Sequence, residues 1–312
     1  MSGSAQIYFI LLGVGANALW GAAFIVPYWL LDFSSEAIAI SRYVVYGVVS
    51  VGVFLLVKSQ ASFLSSRKFI VANLISFCGN FGYYYFLALG VQKIGFVIPA
   101  LIVGMLPVLV VLVSCAQRRA TSLSGLLPGV GLMVCGILLI NWTSLAGGEN
   151  KLIQSNHVLG IASSLAALVL LTFYFVLNAR FLKMNTKILS LQWTSLLGIC
   201  AMLQSLVFAA FCYFSSDEQG LLQFLQLPAD RLMAFFFGVF FLGVFVSYMA
   251  MWIWSIASRN ISEILGARIL CLEALFAMLF GYLIDSRPPT GLEVIGAAMV
   301  IGGGYFVRRQ DE

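Results

Sequence analysis

The chain has 312 residues, only 17 of them Lys or Arg and 12 Asp or Glu, and its mean hydropathy is +1.02. A water-soluble domain carries roughly a quarter charged residues, so this chain lacks the polar coat that such a fold needs. Its formal net charge of +5 is scattered over short breaks between apolar runs and forms no basic face, which argues against a nucleic-acid partner.

A helical span needs about 20 mostly apolar residues to cross the hydrocarbon core. In chain order the apolar runs predict ten spans, at 6–31, 36–57, 69–90, 94–116, 121–141, 158–179, 187–214, 231–257, 261–284 and 289–307. The runs are long and continuous, whereas a membrane barrel needs short segments of alternating polarity. The first run carries a cleavage-like Ala16-Asn17-Ala18. No Lys or Arg precedes it, however, and it stays apolar to Leu31, so it reads as a span and not as a leader. The expected fold class is an all-α polytopic membrane protein.

The breaks alternate in charge. Lys58, Arg67, Lys68, Arg118, Arg119, Arg180, Lys183, Lys187, Arg259, Arg308 and Arg309 fall on one side, and only Lys93, Lys151, Arg231 and Arg287 on the other. Lys and Arg collect in short cytoplasmic loops, which places both termini in the cytoplasm. Most of the acids, including Asp32, Glu36, Asp230 and Asp285, fall on the far side. A long polar break at 142–157, read as an extracytoplasmic connecting loop, separates residues 1–141 from 158–312, with five spans in each half. An odd number per half makes the second half enter the membrane inverted. Leu12-Gly13 and Leu159-Gly160 open the halves, and Gly-rich spans close them. Inverted repeats are frequent in secondary transporters, with the substrate site near the midplane between the repeats. The glycines also suit close helix packing in any membrane bundle.

Charges inside spans are costly, at least about 2.5–3.5 kcal/mol on insertion scales, and normally face protein or water. Arg42, Arg268 and Glu273 are the charges that the loops do not explain. Arg42 or Arg268 is a candidate clamp for a substrate carboxylate, and Glu273 for an amine or a proton. A structural charge pair, or snorkelling toward the interface, is the competing reading. Five residues of helix turn Glu273 away from Arg268, so each is expected to find its partner on another helix. Asn73, Phe77, Asn80 and Tyr84 share one helical face of the third span and suit a cavity wall. Asn17 and Trp20 lie close together in the first span. Tyr174 with Asn178 in the sixth, and Tyr248 with Trp252 in the eighth, stand at i, i+4. Trp29 and Trp142 read as interfacial anchors. Pro107 is the candidate hinge in the fourth span, since proline breaks the helical ladder.

Six cysteines form no CxxC or Cys/His cluster and read as small apolar groups. Neither a metal nor a cofactor is expected.

These residues resemble the drug/metabolite transporter superfamily, in its ten-span EamA-type branch. Trp20-Gly21 with Phe24 is similar to that family's opening of span one. Arg42 falls where its members often carry an Arg. Gly95 to Pro107 is similar to its span-four motif, Gly129 to Gly136 and Gly296 to Gly303 to its Gly-rich repeat ends, and Tyr174-Phe175-Val176-Leu177 with Arg180 to the end of its sixth span. The chain departs at Leu171, where a Trp is usual, and at Leu272-Glu273-Ala274, where a Pro follows the acid. Within the superfamily it looks most like aromatic amino-acid exporters.

The resemblance implies a carrier that exports amino acids or similar small metabolites across the bacterial inner membrane. The mechanism would be alternating access through a central cavity between the repeats. Its substrate-binding residues would be drawn from Asn17, Trp20, Arg42, Asn80, Tyr84, Tyr174, Tyr248, Trp252, Arg268 and Glu273. The expected partners are the small-molecule substrate and the lipid bilayer, with protons a candidate coupling ion and a monomer or weak dimer the expected state. The alternatives are an intramembrane enzyme and a channel or structural multipass protein. No metal motif, nucleophile dyad or paired acids point to the enzyme, which is therefore not expected. No charged ring or carbonyl filter points to the channel.

Overall fold

The computed structural model describes residues 3–56, 66–106, 109–110, 113, 128–129, 131–136, 139, 151–185, 188–215, 227–261, 269–270 and 272–309. Its long elements are α1 (Gly3–Trp29), α2 (Ser35–Leu56), α3 (Ser66–Ile94), α4 (Val97–Val103), α5 (Lys151–Met184), α6 (Ser190–Ser215), α7 (Ala229–Asn260), α8 (Leu272–Asp285) and α9 (Gly291–Arg309). A further helical segment covers 131–136. No strand occurs among the described residues. This is the outcome hydrocarbon imposes, because a helix satisfies its own backbone. Six of the helices, α1, α2, α3, α5, α6 and α7, are long and apolar enough to cross a membrane.

Local chemistry sets the ends. Ser34 Oγ accepts from the Ala37 amide at 3.2 Å and caps α2. Gly95 stops α3 with φ of 75°, a conformation that only glycine adopts freely, while its amide still donates to Val91 O at 2.8 Å. Thr290 and Glu293 form a reciprocal capping box at α9: the Glu293 amide donates to Thr290 Oγ1 at 3.3 Å and the Thr290 amide to Glu293 Oε2 at 2.7 Å. The same carboxylate receives Arg287 Nη1 and Nη2 at 3.0 and 2.9 Å, tying the turn between α8 and α9.

Two helices are not regular. Residues Phe77–Phe81 of α3 and Leu242–Met249 of α7 are π-helical. There the Gly82 amide reaches Phe77 O and the Ala250 amide reaches Phe245 O, five residues back instead of four.

The helices pair across the chain. α2 packs on α6 and α7, α1 on α7 and α8, α3 on α5 and α6, and α4 on α5 and α8. Glycines permit the closest approaches. A Cβ on Gly21 of α1 would lie 2.6 Å from Phe276 of α8, and one on Gly136 would lie 2.7 Å from Gly296 O of α9. The Gly-rich ends of the two halves therefore pack on each other. Outward faces are apolar: Leu165, Val169 and Phe173 form a stripe on α5, and Phe236, Phe237 and Phe240 cover one side of α7. Such surface is stable against lipid tails and not against water.

The ends group as the alternating breaks require. Arg231 at the start of α7 pairs with Asp32 and with Trp29 O at the end of α1, and Gln92 near the end of α3 reaches Phe33 O at 2.7 Å. At the opposite end Arg259 donates to Ile188 O at 3.3 Å. The helix α5 begins at Lys151, so residues 151–157 of the expected connecting loop are helical. Arg268, Pro107 and the rest of that loop lie outside the described residues.

Candidate functional site

A narrow cavity of about 40 Å³ opens where α1, α2, α3, α5, α7 and α8 converge. That is room for a few water molecules in this conformation. Its wall is mainly apolar and aromatic: Trp20 and Ala23 from α1, Gly79 and Tyr83 from α3, Leu171, Tyr174 and Phe175 from α5, and Val246 and Met251 from α7. Four polar side chains interrupt that wall, Arg42, Asn80, Ser247 and Glu273.

Arg42 is held from behind. Its Nε donates to Ser247 Oγ at 2.9 Å, and its guanidinium carbon lies 3.8 Å over the Tyr84 ring and 5.3 Å from the Tyr43 ring centroid. A cation over an aromatic face gains about 2 kcal/mol when desolvated. Arg42 is only 5% exposed, and its Nη1 is buried without a hydrogen-bond partner. Glu273 is 7% exposed. It forms neither an ion pair with Arg42 nor a hydrogen bond to any described residue. Arg42 and Glu273 thus border one cavity, and among the described residues no ion pair joins them.

Asn80 donates through Nδ2 to Ser76 Oγ at 3.4 Å, and Ser76 Oγ donates to Leu197 O of α6 at 2.8 Å. Tyr174 lies so close to Gly79 that a Cβ there would run into its ring. Its hydroxyl points to Met251 Sδ at 3.5 Å. Trp20 packs on Trp254 with ring centroids 5.6 Å apart.

Of the expected residues, Trp20, Arg42, Asn80, Tyr174 and Glu273 meet in the cavity. Tyr84 is fully buried and supports Arg42 from beneath. Tyr248 is buried one layer back, its hydroxyl 3.1 Å from Ser195 Oγ. Asn17 is buried too, but donates to Gly13 O at 2.8 Å within its own helix and does not reach the cavity. Trp252 is a correction: it is 40% exposed on the outside of the bundle. The expected stripe on α3 is corrected likewise, since Phe77 is 40% exposed while Asn80 and Tyr84 are buried. Phe77 opens one π-helical segment and Trp252 lies three residues past the other, and a wider turn breaks the i, i+4 arithmetic.

Ser247 was missed, with its aromatic neighbour Tyr248 selected in its place. Leu171 and Phe175 were missed as well, and the signal for them is the helical face they share with Tyr174. Among the described residues no group of three His, Cys, Asp or Glu could hold a metal ion.

No family model matches the chain. A curated relative, "Inner membrane protein YtfF" of Escherichia coli (strain K12), is 23% identical over 310 residues, 97% of this chain and 96% of that protein. A solved crystal structure superposes with a TM-score of 0.63 at 17% identity, over 98% of this chain and 99% of that one. The whole fold, and not a piece of it, is therefore shared with a known protein.

Proposed function

We propose that the chain is a secondary carrier of the drug/metabolite transporter type in a bacterial inner membrane. It moves small organic metabolites, in the first place amino acids, by alternating access. The observation that carries this reading is the cavity: it lies inside the helix bundle, is lined by both halves of the chain, and is bordered by Arg42 and Glu273 from opposite halves.

The packing supports an inverted repeat. Exchanging α1, α2, α3 and α4 for α5, α6, α7 and α8 turns the pair α1–α7 into α5–α3, α2–α7 into α6–α3, and α1–α8 into α5–α4. All six pairs are present, and the two π-helical segments fall on α3 and α7, which exchange with each other. A bundle built this way can rock one half against the other around a fixed central site. The full-length likeness to an inner membrane protein supports the location. The charge parity of the breaks supports cytoplasmic termini.

Reconstitution into liposomes loaded with unlabelled amino acid tests the proposal. Saturable counterflow of labelled amino acid, abolished when the internal pool is removed, is the expected result. Flux that rises linearly with concentration, or a unitary conductance, would overturn the carrier reading.

A further inference from the structure

Between the cavity and one face of the bundle, α1 and α7 form a continuous seam. Ala23 of α1 lines the cavity. One and two turns further on, Val26 and Leu30 pack against Gly238 of α7, where a Cβ would lie 3.1 and 3.2 Å from them. Next, Phe33 in the turn after α1 stacks on Phe235 with ring centroids 4.4 Å apart. At the rim, Arg231 donates through Nε to Asp32 Oδ2 and through Nη2 to Trp29 O at 3.2 Å. Gln92 of α3 steadies the same turn by donating to Phe33 O at 2.7 Å. The distance from Ala23 to Trp29 is roughly 9 Å of helix, so these contacts stand between the cavity and that face.

The contacts differ in what they do. Leu30, Phe33 and Phe235 are buried and exclude water along the seam. Apolar contact has no direction and tolerates sliding, whereas the two bonds of Arg231 fix one geometry. Asp32 and Arg231 are partly exposed, so their pair alone shifts an equilibrium by no more than about five-fold. Because it joins opposite halves, it is lost whenever the seam opens, and its whole effect favours the closed state. Exchanging the halves turns the α1–α7 seam into the α5–α3 seam at the opposite face. There the chain places Arg67 and Lys68 at the start of α3 and Arg180 and Lys183 at the end of α5. No Asp or Glu occurs at 57–73 or at 175–190, so that seam cannot form a pair of the same kind from its own residues.

We propose that Arg231, Asp32 and the Trp29 carbonyl form a one-sided latch, which holds the α1–α7 seam shut over the cavity so that the protein rests closed on the face carrying Asp32. This rests on the carrier reading for the existence of two access states, and makes a separate claim about which face is closed at rest and by which residues.

The test is the labelling rate of Ala23→Cys in the full-length chain without its native cysteines, using a small impermeant thiosulfonate on spheroplasts and on inside-out vesicles. The parent should label faster from the face opposite Asp32. From the Asp32 face, Asp32→Ala should raise the rate roughly 2- to 5-fold, and Arg231→Ala roughly 3- to 10-fold, because it also loses the bond to Trp29 O. Exchanging the charges, Asp32→Arg with Arg231→Asp, should bring the rate back toward the parent. Raising the salt from roughly 50 to 500 mM should speed labelling of the parent and leave Asp32→Ala unchanged, since screening acts only where the pair exists. If an alanine variant fails to fold, the salt series on the parent decides. Unchanged rates in both single variants, no slowing by the charge exchange, a parent that labels faster from the Asp32 face, or no labelling from either face overturns the latch. Counterflow with latch-independent labelling would sink the latch and leave the carrier standing. Latch-dependent labelling without counterflow would do the reverse.

Discussion

Replacing Ser247 by alanine isolates the bond that aims Arg42. In the wild-type protein, Arg42 Nε donates to Ser247 Oγ at 2.9 Å in a fully buried setting, and Nη1 is already unpartnered. Ser247→Ala leaves a second donor of the same cation unsatisfied. A hydrogen bond to a charged group contributes about 1.5–3 kcal/mol. The alanine leaves only a small gap, so the cavity term is minor. The expected loss of folding stability is therefore about 1.5–3 kcal/mol, read as the shift in equilibrium unfolding in mixed detergent micelles. The decisive measurement repeats the substitution in an Arg42→Met background, where no cation needs the hydroxyl. There Ser247→Ala should cost less than about 0.5 kcal/mol, the usual size for a change that breaks no specific interaction. An equal cost in both backgrounds would refute the assignment, because Ser247 would then be serving its own helix and not Arg42.

Gly79→Ala drives a methyl into the Tyr174 ring and should destabilise by about 1–3 kcal/mol, visible as a lower Tm. Gly52→Ala, which meets nothing within 4 Å, should be neutral or slightly stabilising in the same assay. Trp20→Ala should weaken phenylalanine binding by about ten-fold or more, through loss of buried aromatic wall. Trp252→Ala should leave binding within about two-fold, because that ring faces outward, and an equal loss from both would refute the placement of the cavity. In a variant without native cysteines, Asp32→Cys and Arg259→Cys should label with an impermeant thiol reagent from opposite sides of the membrane. Labelling of both from one side would overturn the alternating topology.

Much of the bundle was legible because hydrocarbon imposes one rule on every span. Predicted spans 36–57, 187–214 and 231–257 match α2, α6 and α7 to within three residues at each end. Long apolar runs state their own length, and breaks state their own charge. Arg42 and Glu273 were legible on the same principle, since a charge inside a span has to be answered by something. What could not be read was where the helical period changes. The arithmetic that selected Phe77 and Trp252 assumes 3.6 residues per turn throughout. Phe77 opens one π-helical segment, and Trp252 follows the other by three residues. Neither Phe77–Phe81 nor Leu242–Met249 carries a proline or another residue type that marks such a turn. Each segment holds a glycine at a close helix approach, Gly79 under the Tyr174 ring in α3 and Gly243 against Val45 and Arg42 O in α7.

The two irregular turns also share a place in the structure. A π-helical turn is less favourable than an α-helical one and recurs at functional sites. In this chain each π segment contributes two consecutive residues to the cavity, Gly79 and Asn80 from α3, Val246 and Ser247 from α7. Hydrogen bonds at these segments tie each cavity face to a helix of the opposite half, Ser247 to Arg42 of α2 and Ser76, just before the first segment, to Leu197 of α6. The cavity and the seam between the halves are therefore one structure. Any motion that parts α2 from α7 must release Arg42 from Ser247, which links the positioning of the cation to the opening of the seam.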